Sequence, residues 1–220
     1  MCRFLLAKSK NKFDPKPLFE KFAGMSKESK SYDGDWQGDG CGASWLDKGK
    51  WQTKTSIKPI WKSTEIFSEI PETSQLIVHA RSASFPKHKG VLEYNQPYVY
   101  KNYAFVFNGL LKGVSLPYQL EGTIGAQKIW SLLKKFLVAF SPNESLLRTV
   151  DILNKHTREI QALNIGLSDG DEIYIYTQFG KHPDYYQLRS HQKDDLIIVC
   201  SESLEGMEFR PIETKRVLMY

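Results

Sequence analysis

The chain has 220 residues, of which 41% are hydrophobic and 13% aromatic, enough to bury the core of one domain spanning residues 1–220. Its 30 basic and 25 acidic residues give a formal net charge of +5 and are interleaved along the chain, which excludes a charged tail and argues against a nucleic-acid partner. No stretch approaches the ~18 apolar residues of a membrane span, and the short apolar run before Lys8 does not resemble a secretory signal, so we expect no membrane partner.

The first half of the chain predicts strands, one helix and a hairpin. "CRFLLA" is typical of a strand, and "PKPLFEKFAGMSKESK" has apolar residues at helical spacing after Pro17. "SYDGDWQGDG" predicts a loop, and "CGASWLD" with "KWQTKTS" predicts a hairpin. "SQLIVHARSAS" predicts a buried strand that runs into polar residues. "NYAFVFNGLL" predicts a second strand, which ends in Asn108-Gly109.

The second half predicts two helices and then short strands. "TIGAQKIWSLLKKFLVAF" and "ESLLRTVDILNKHTREI" carry apolar stripes every three to four residues, with Asn143 as the N-cap of the latter. "QALNIGLS", "EIYIYTQF", "YYQLRS", "DLIIVCSE" and "VLMY" predict strands separated by turns. The order of elements favours two largely antiparallel sheets packed together, with helices outside.

The cysteines raise the question of a reactive thiol. Cys2, Cys41 and Cys200 are odd in number and far apart, which fits neither a disulfide framework nor a CxxC pair and favours a cytoplasmic location. If Met1 is removed, Cys2 carries both a thiol and a free α-amine, which can act as the base that activates the thiol. The alternative is that Cys2 is an inert small hydrophobe at the start of a strand.

Two further sets of residues can carry chemistry. The Asn108 side-chain amide and the Gly109 N–H can converge on an oxyanion, although Asn-Gly is also a signal for a type I′ turn. Arg81 and Ser84 follow a buried strand, and Arg81 can hold a carboxylate, unless it is an ordinary surface arginine. His79 has no second ligand at metal-binding spacing and fits a core position. We expect no metal and no cofactor.

Six segments stand out in chain order: the "MCR" start, "GDGCGASWL", "KPIW", "HARSAS", "YNQPYVYKNYAFVFNGLL" and "VCSESLEGMEFRPI". Together they resemble the class II glutamine amidotransferases, a branch of the N-terminal nucleophile hydrolases. The resemblance covers most of the chain and is closest to the small stand-alone members. It reverses the interpretation of Cys2 as an inert residue.

The resemblance implies a fold, a reaction and a role for each residue. The fold is an α+β four-layer αββα sandwich, with "SYDGDWQGDG" and residues 85–102 as covering loops. Cys2 is the nucleophile on a glutamine or γ-glutamyl amide and its α-amine is the base. Asn108 and Gly109 form the oxyanion hole, and Arg81 binds the substrate carboxylate with help from Ser84. No ammonia-accepting domain follows in this chain, so an acceptor must be a separate subunit, or the enzyme is a hydrolase.

The sequence also departs from the family pattern. Ile124 or Gly125 stands where the family has the aspartate that binds the substrate α-ammonium, so Glu121 or another acid substitutes, or the substrate lacks a free α-amine. Gln96 and Phe107 replace histidines, and Cys41 replaces a tryptophan. These departures leave one alternative function open, a catalytically degenerate member that acts as a regulatory or scaffold subunit.

Overall fold

The structure, a computed structural model, describes residues 1–29 and 31–220, with the side chains of all of these except residues 65 and 66. Lys30, the last residue of the predicted first helix, lies outside the described residues. No helix in the described ranges is long and apolar enough to cross a membrane.

Seven antiparallel strands form the first sheet. They are β1 (Arg3–Phe13), β2 (Cys41–Asp47), β3 (Lys50–Ser56), β4 (Thr73–Ala80), β9 (Arg189–Lys193), β10 (Leu196–Cys200) and β11 (Arg210–Pro211). Their spatial order is β11-β9-β10-β1-β4-β2-β3. The first strand of the chain is therefore the central strand of this sheet.

Five antiparallel strands form the second sheet. They are β5 (Tyr98–Tyr100), β6 (Tyr103–Val114), β7 (Thr157–Ser168), β8 (Ile173–Phe179) and β12 (Val217–Met219), in the spatial order β12-β8-β7-β6-β5. The helices are α1 (Lys16–Glu28), α2 (Thr64–Phe67), α3 (Gly125–Leu137), α4 (Pro142–Lys155) and α5 (Pro183–Tyr186).

Three apolar clusters arrange these elements in four layers. Alternate residues of β1 face opposite sides of its sheet, as the two-residue period of a strand requires. Phe4 and Leu6 pack between the sheets, against residues such as Val106 of β6. Leu5 and Ala7 pack with α1 on the outer face. On the other side, α3 and α4 cover the second sheet. The predicted αββα sandwich with two antiparallel sheets is confirmed.

Several local predictions were wrong. The β6 strand does not end at Asn108-Gly109. Instead Asn108 pairs with Asn164, Gly109 pairs with Leu163, and the strand continues to Val114, so the type I′ turn is excluded.

The N-cap of α4 is Ser141, whose hydroxyl accepts from the Glu144 N–H at 3.3 Å, and not Asn143. Proline is favoured at the first helical position, and Pro142 occupies it here, so the N-cap is the residue before it. The strand predicted over "YYQLRS" begins only at Arg189, because Tyr185 and Tyr186 belong to α5.

The tight contact between the sheets predicts how a substitution at this interface changes the free energy of unfolding. A Cβ added at Gly166 of β7 would lie 2.6 Å from Leu6 Cδ1 and 3.0 Å from Val106 Cγ2, both fully buried. We expect Gly166→Ala to lower the free energy of unfolding by about 1–3 kcal/mol through overpacking.

Gly24 of α1 is the matched control, because an added Cβ there meets nothing within 4 Å. Gly24→Ala should raise the free energy of unfolding by about 0.5–1 kcal/mol through helix propensity. Urea unfolding measures both values. An equal change in the free energy of unfolding for the two variants would contradict the packing of the sheets.

Candidate active site

A cavity of about 650 Å³ lies where the ends of β1 and β4 meet the middle of β6 and the N-terminus of α3. The structure brings all five predicted site residues to its lining: Cys2, Arg81, Ser84, Asn108 and Gly109. Strand pairing in the first sheet explains why Cys2 lies close to the segment that carries Arg81 and Ser84. Arg3 pairs with Ala80, so Cys2 lies opposite the residues that follow β4.

The Cys2 thiol is held by the backbone of Ser82. The Ser82 N–H donates to Sγ at 3.5 Å, and Sγ lies 3.6 Å from the Ser82 carbonyl oxygen. Burial raises the pKa of the Cys2 thiol, while the terminal amine, the Ser82 N–H and Arg81 act in the opposite direction. Cys2 lines the cavity and is partly exposed, whereas Cys41 and Cys200 are fully buried, which raises the pKa of each to about 12.

The start of the chain is anchored beside this thiol. The Met1 amine forms an ion pair with Asp35, which also accepts from the Ser82 hydroxyl. The Met1 carbonyl accepts from Gln37 Nε2 and from the Tyr185 hydroxyl, both at 2.9 Å. Gln37 is fully buried, and its side-chain oxygen has no hydrogen-bond partner within the described part of the chain. The site therefore surrounds the backbone next to Cys2 with polar groups.

Asn108 presents an unpartnered amide. Its side chain is 2% exposed, and neither its nitrogen nor its oxygen has a hydrogen-bond partner among the residues that the structure describes. Leaving a buried polar group unpaired costs about 1–3 kcal/mol, so both polar atoms of this amide require a partner from a ligand or from water. Gly109 must be glycine, because a Cβ there would lie 2.2 Å from the Ala162 carbonyl oxygen and 2.9 Å from Phe107 Cζ.

Gln96 supports the strand that carries Asn108. Its Oε1 accepts from the Phe107 N–H at 2.6 Å, and its Nε2 donates to the Phe107 carbonyl oxygen at 3.1 Å. The same Nε2 lies 3.2 Å from His79 Nε2, which must accept because the amide nitrogen only donates. Burial lowers the pKa of His79 to about 3, so the imidazole is neutral. The two departures at 96 and 107 thus form one hydrogen-bonded unit in the wall of the cavity, with His79 behind it.

Arg81 is a buried cation without a carboxylate partner. It is 4% exposed, and its guanidinium donates to the carbonyl oxygens of Asp39 (3.3 Å) and His88 (2.7 Å). Among the described residues, no carboxylate lies within ion-pairing distance of it. Arg81 is therefore not an ordinary surface arginine. Its positive charge is available to pair with an anionic ligand. Ser84 is exposed at the cavity lining.

The structure does not bring Glu121 to the cavity. Its carboxylate is 81% exposed and lies 2.8 Å from Lys134 Nζ. Ile124 and Gly125 line the cavity where the family aspartate is expected. Glu121 therefore does not replace that aspartate.

Sequence reasoning missed four polar residues beside Cys2. They are Asp35, Gln37, Ser82 and Tyr185. Ser82 lies within the "HARSAS" motif, but nothing in the sequence pairs Asp35, Gln37 or Tyr185 with the chain start. Within residues 1–29 and 31–220, no group of three His, Cys, Asp or Glu side chains is placed to hold a metal ion.

Solved structures share this arrangement of elements at low sequence identity. A glutamine aminotransferase class-II domain protein from Silicibacter pomeroyi matches with a TM-score of 0.65 and 13% identity, over 99% of this chain and 94% of that one. A predicted glutamine amidotransferase from Pseudomonas aeruginosa matches with a TM-score of 0.56 and 14% identity, over 100% and 97% of the two chains.

Glutamine phosphoribosylpyrophosphate amidotransferase from B. subtilis matches with a TM-score of 0.72 and 15% identity, over all of this chain and 47% of the other. No protein-family model matches the chain, and no curated protein sequence matches it. The chain therefore has the fold of class II glutamine amidotransferase domains, which its sequence motifs predict.

Proposed function

We propose that the chain hydrolyses a linear γ-carboxamide, of the glutamine or γ-glutamyl type, through a thioester on Cys2. The observation that carries this proposal is the unpartnered Asn108 amide in the same cavity as the Cys2 thiol. A buried donor with no partner is poised for a charge that exists only during the reaction.

The first half of the reaction forms the thioester. Removal of Met1 frees the Cys2 α-amine, which takes the proton of the Cys2 thiol. Sγ then attacks the amide carbonyl carbon, and the resulting oxyanion accepts from Asn108 Nδ2 and the Gly109 N–H. The α-ammonium gives its proton to the amide nitrogen, the C–N bond breaks, and ammonia or an amine leaves.

The second half releases the acid. The α-amine takes a proton from water, the hydroxide attacks the thioester carbonyl carbon, and the same two donors hold the oxyanion. The C–S bond breaks and the thiol is reprotonated. The net change is amide plus water to carboxylic acid plus ammonia or amine, and at neutral pH the acid proton passes to that base. The ammonia passes to water, or to an acceptor on a separate subunit.

The groups around Met1 support a free α-amine at Cys2. Asp35 already pairs with an amine at the chain start, and the unpartnered Gln37 oxygen lies in a side chain that hydrogen-bonds to the adjoining carbonyl. Once Met1 is absent, these acceptors are free to orient the Cys2 nitrogen. In this proposal Asp35 and Gln37 are positioning residues.

A non-catalytic regulatory or scaffold subunit is the alternative, and the loss of the family aspartate favours it. However, a scaffold gains nothing from a buried Asn108 amide without a partner or from a buried Arg81 without a counter-ion. Both features lie in one cavity with the thiol, so we favour catalysis.

Covalent labelling tests the proposed function. Diazo-ketone analogues of glutamine and of N-acetylglutamine, which place an electrophilic carbon at the amide position, should add one equivalent to the chain that lacks Met1. The adduct should map to Cys2 and be absent in Cys2→Ala, with Cys41 and Cys200 unmodified as buried internal controls. Intact mass reports both Met1 removal and the adduct, and no labelling of Cys2 by either analogue would refute the proposal.

Substitution of Arg81 tests carboxylate binding. Arg81→Lys replaces a planar guanidinium, which can donate two hydrogen bonds to one carboxylate, with a compact ammonium group. KM should therefore rise by about tenfold or more while kcat changes less than threefold. The matched control is Arg148→Lys, an exposed i,i+4 pair with Glu144 outside the cavity, which should leave both constants unchanged. Equal losses in kcat and kcat/KM for Arg81→Lys would remove this assignment.

A further inference from the structure

The cavity around Cys2 has no acidic side chain in its lining, among the residues that the structure describes. The cationic side chains of Arg81, Lys112 and Lys128 do line it. Lys112 pairs with Glu159 outside the lining, at 3.4 Å. A substrate with a free α-ammonium would enter this cavity and find no carboxylate to pair with.

Three acids contact or adjoin residues of the lining without lining the cavity themselves. Asp35 pairs with the chain-terminal amine and with Ser82. Asp39 accepts from the Ala83 N–H at 2.9 Å and lies 3.2 Å from Lys89 Nζ. Glu93 is exposed, and none of these three lines the cavity.

The end of the cavity near α3 disfavours a positive charge. The helix begins at Gly125, so its first N–H groups carry a partial positive charge there. Lys128 adds a full charge to the same end. Ile124 supplies an apolar side chain where an ammonium would need an acid.

The rest of the lining is largely apolar. Side chains from three elements and two loops contribute to it: Phe85, Leu110, Val114, Leu116, Ile129 and Leu153. A volume of about 650 Å³ suits a drug-sized ligand and exceeds the needs of glutamine alone. This surface is complementary to a hydrocarbon group.

We infer that the substrate is an α-N-acylated γ-carboxamide, an N-acylglutamine-type molecule with an apolar acyl chain. The inference rests on the proposed function for the reacting end. Arg81 pairs the single carboxylate, the carboxamide lies at Cys2, and the acyl chain lies along the apolar lining. Acylation removes the ammonium that the cavity cannot pair. The reaction is N-acylglutamine plus water to N-acylglutamate plus ammonium.

Binding to Cys2→Ala tests this inference without relying on turnover. Calorimetric titration should show N-octanoylglutamine binding more than about 700-fold tighter than glutamine, since glutamine lacks the acyl chain and buries an unpaired charge. Affinity should rise about three- to fourfold per methylene from N-acetyl to N-octanoyl. Glutaramic acid, which has no α-substituent, should fall between glutamine and N-octanoylglutamine.

A substitution at Ile124 provides a second test of the substrate class, through the choice between acylated and free glutamine. Ile124→Asp places a carboxylate at the α3 end of the cavity. The ratio of kcat/KM for N-acetylglutamine to kcat/KM for glutamine should fall by about tenfold or more in this variant. Val138→Asp, at the exposed opposite end of the same helix, adds the same charge outside this cavity and should leave the preference unchanged.

The outcomes separate the two proposals. If Cys2 is labelled and glutamine binds as well as or better than the acylated compounds, the substrate class is overturned while the proposed function stands. An affinity that does not change with acyl length overturns the apolar acyl group. If Cys2→Ala prefers N-octanoylglutamine but no analogue labels Cys2, the cavity binds this class and the proposed reaction fails.

Discussion

The structure depends on the burial of β1 between its neighbours in the seven-stranded sheet. β10 and β4 pair with it on either side, and Phe4, Leu5, Leu6 and Ala7 are all fully buried. Burying a Phe or Leu side chain contributes about 1.5–3 kcal/mol, so this short segment holds the chain start firmly. The position of Cys2 follows from that anchoring, because it is the residue before the strand.

The cavity combines features that do not stabilise the fold by themselves. Among the described residues, Asn108 has no partner for its amide and Arg81 has no carboxylate partner, and His79, which contacts the lining residue Gln96, has a buried ring nitrogen without a partner. Each costs free energy that the three apolar clusters offset. Asn108 and Arg81 line the same cavity as the Cys2 thiol, which links these two groups to one site. Gln96 keeps the arrangement rigid because its amide hydrogen-bonds to both the N–H and the carbonyl of Phe107.

The sequence predicted the layers and the site lining because both depend on local signals. Strand alternation, helical stripes and ordered motifs are visible within short segments, as at Arg81 and Asn108. The continuation of β6 past Gly109 was missed, because Asn-Gly signals a turn and only pairing with β7 shows otherwise. Contacts of Asp35 and Tyr185 with Met1 join residues 34 and 184 positions apart, and no local pattern encodes them.

The central claim is that the Cys2 α-amine, once free, activates the thiol beside it. The most direct measurement compares two chains released from one fusion by a site-specific protease, the first beginning at Cys2 and the second at Met1. Steady-state hydrolysis of N-acetylglutamine and glutamine should give a kcat at least about 100-fold higher for the chain that begins at Cys2. Equal rates for the two chains would contradict the account.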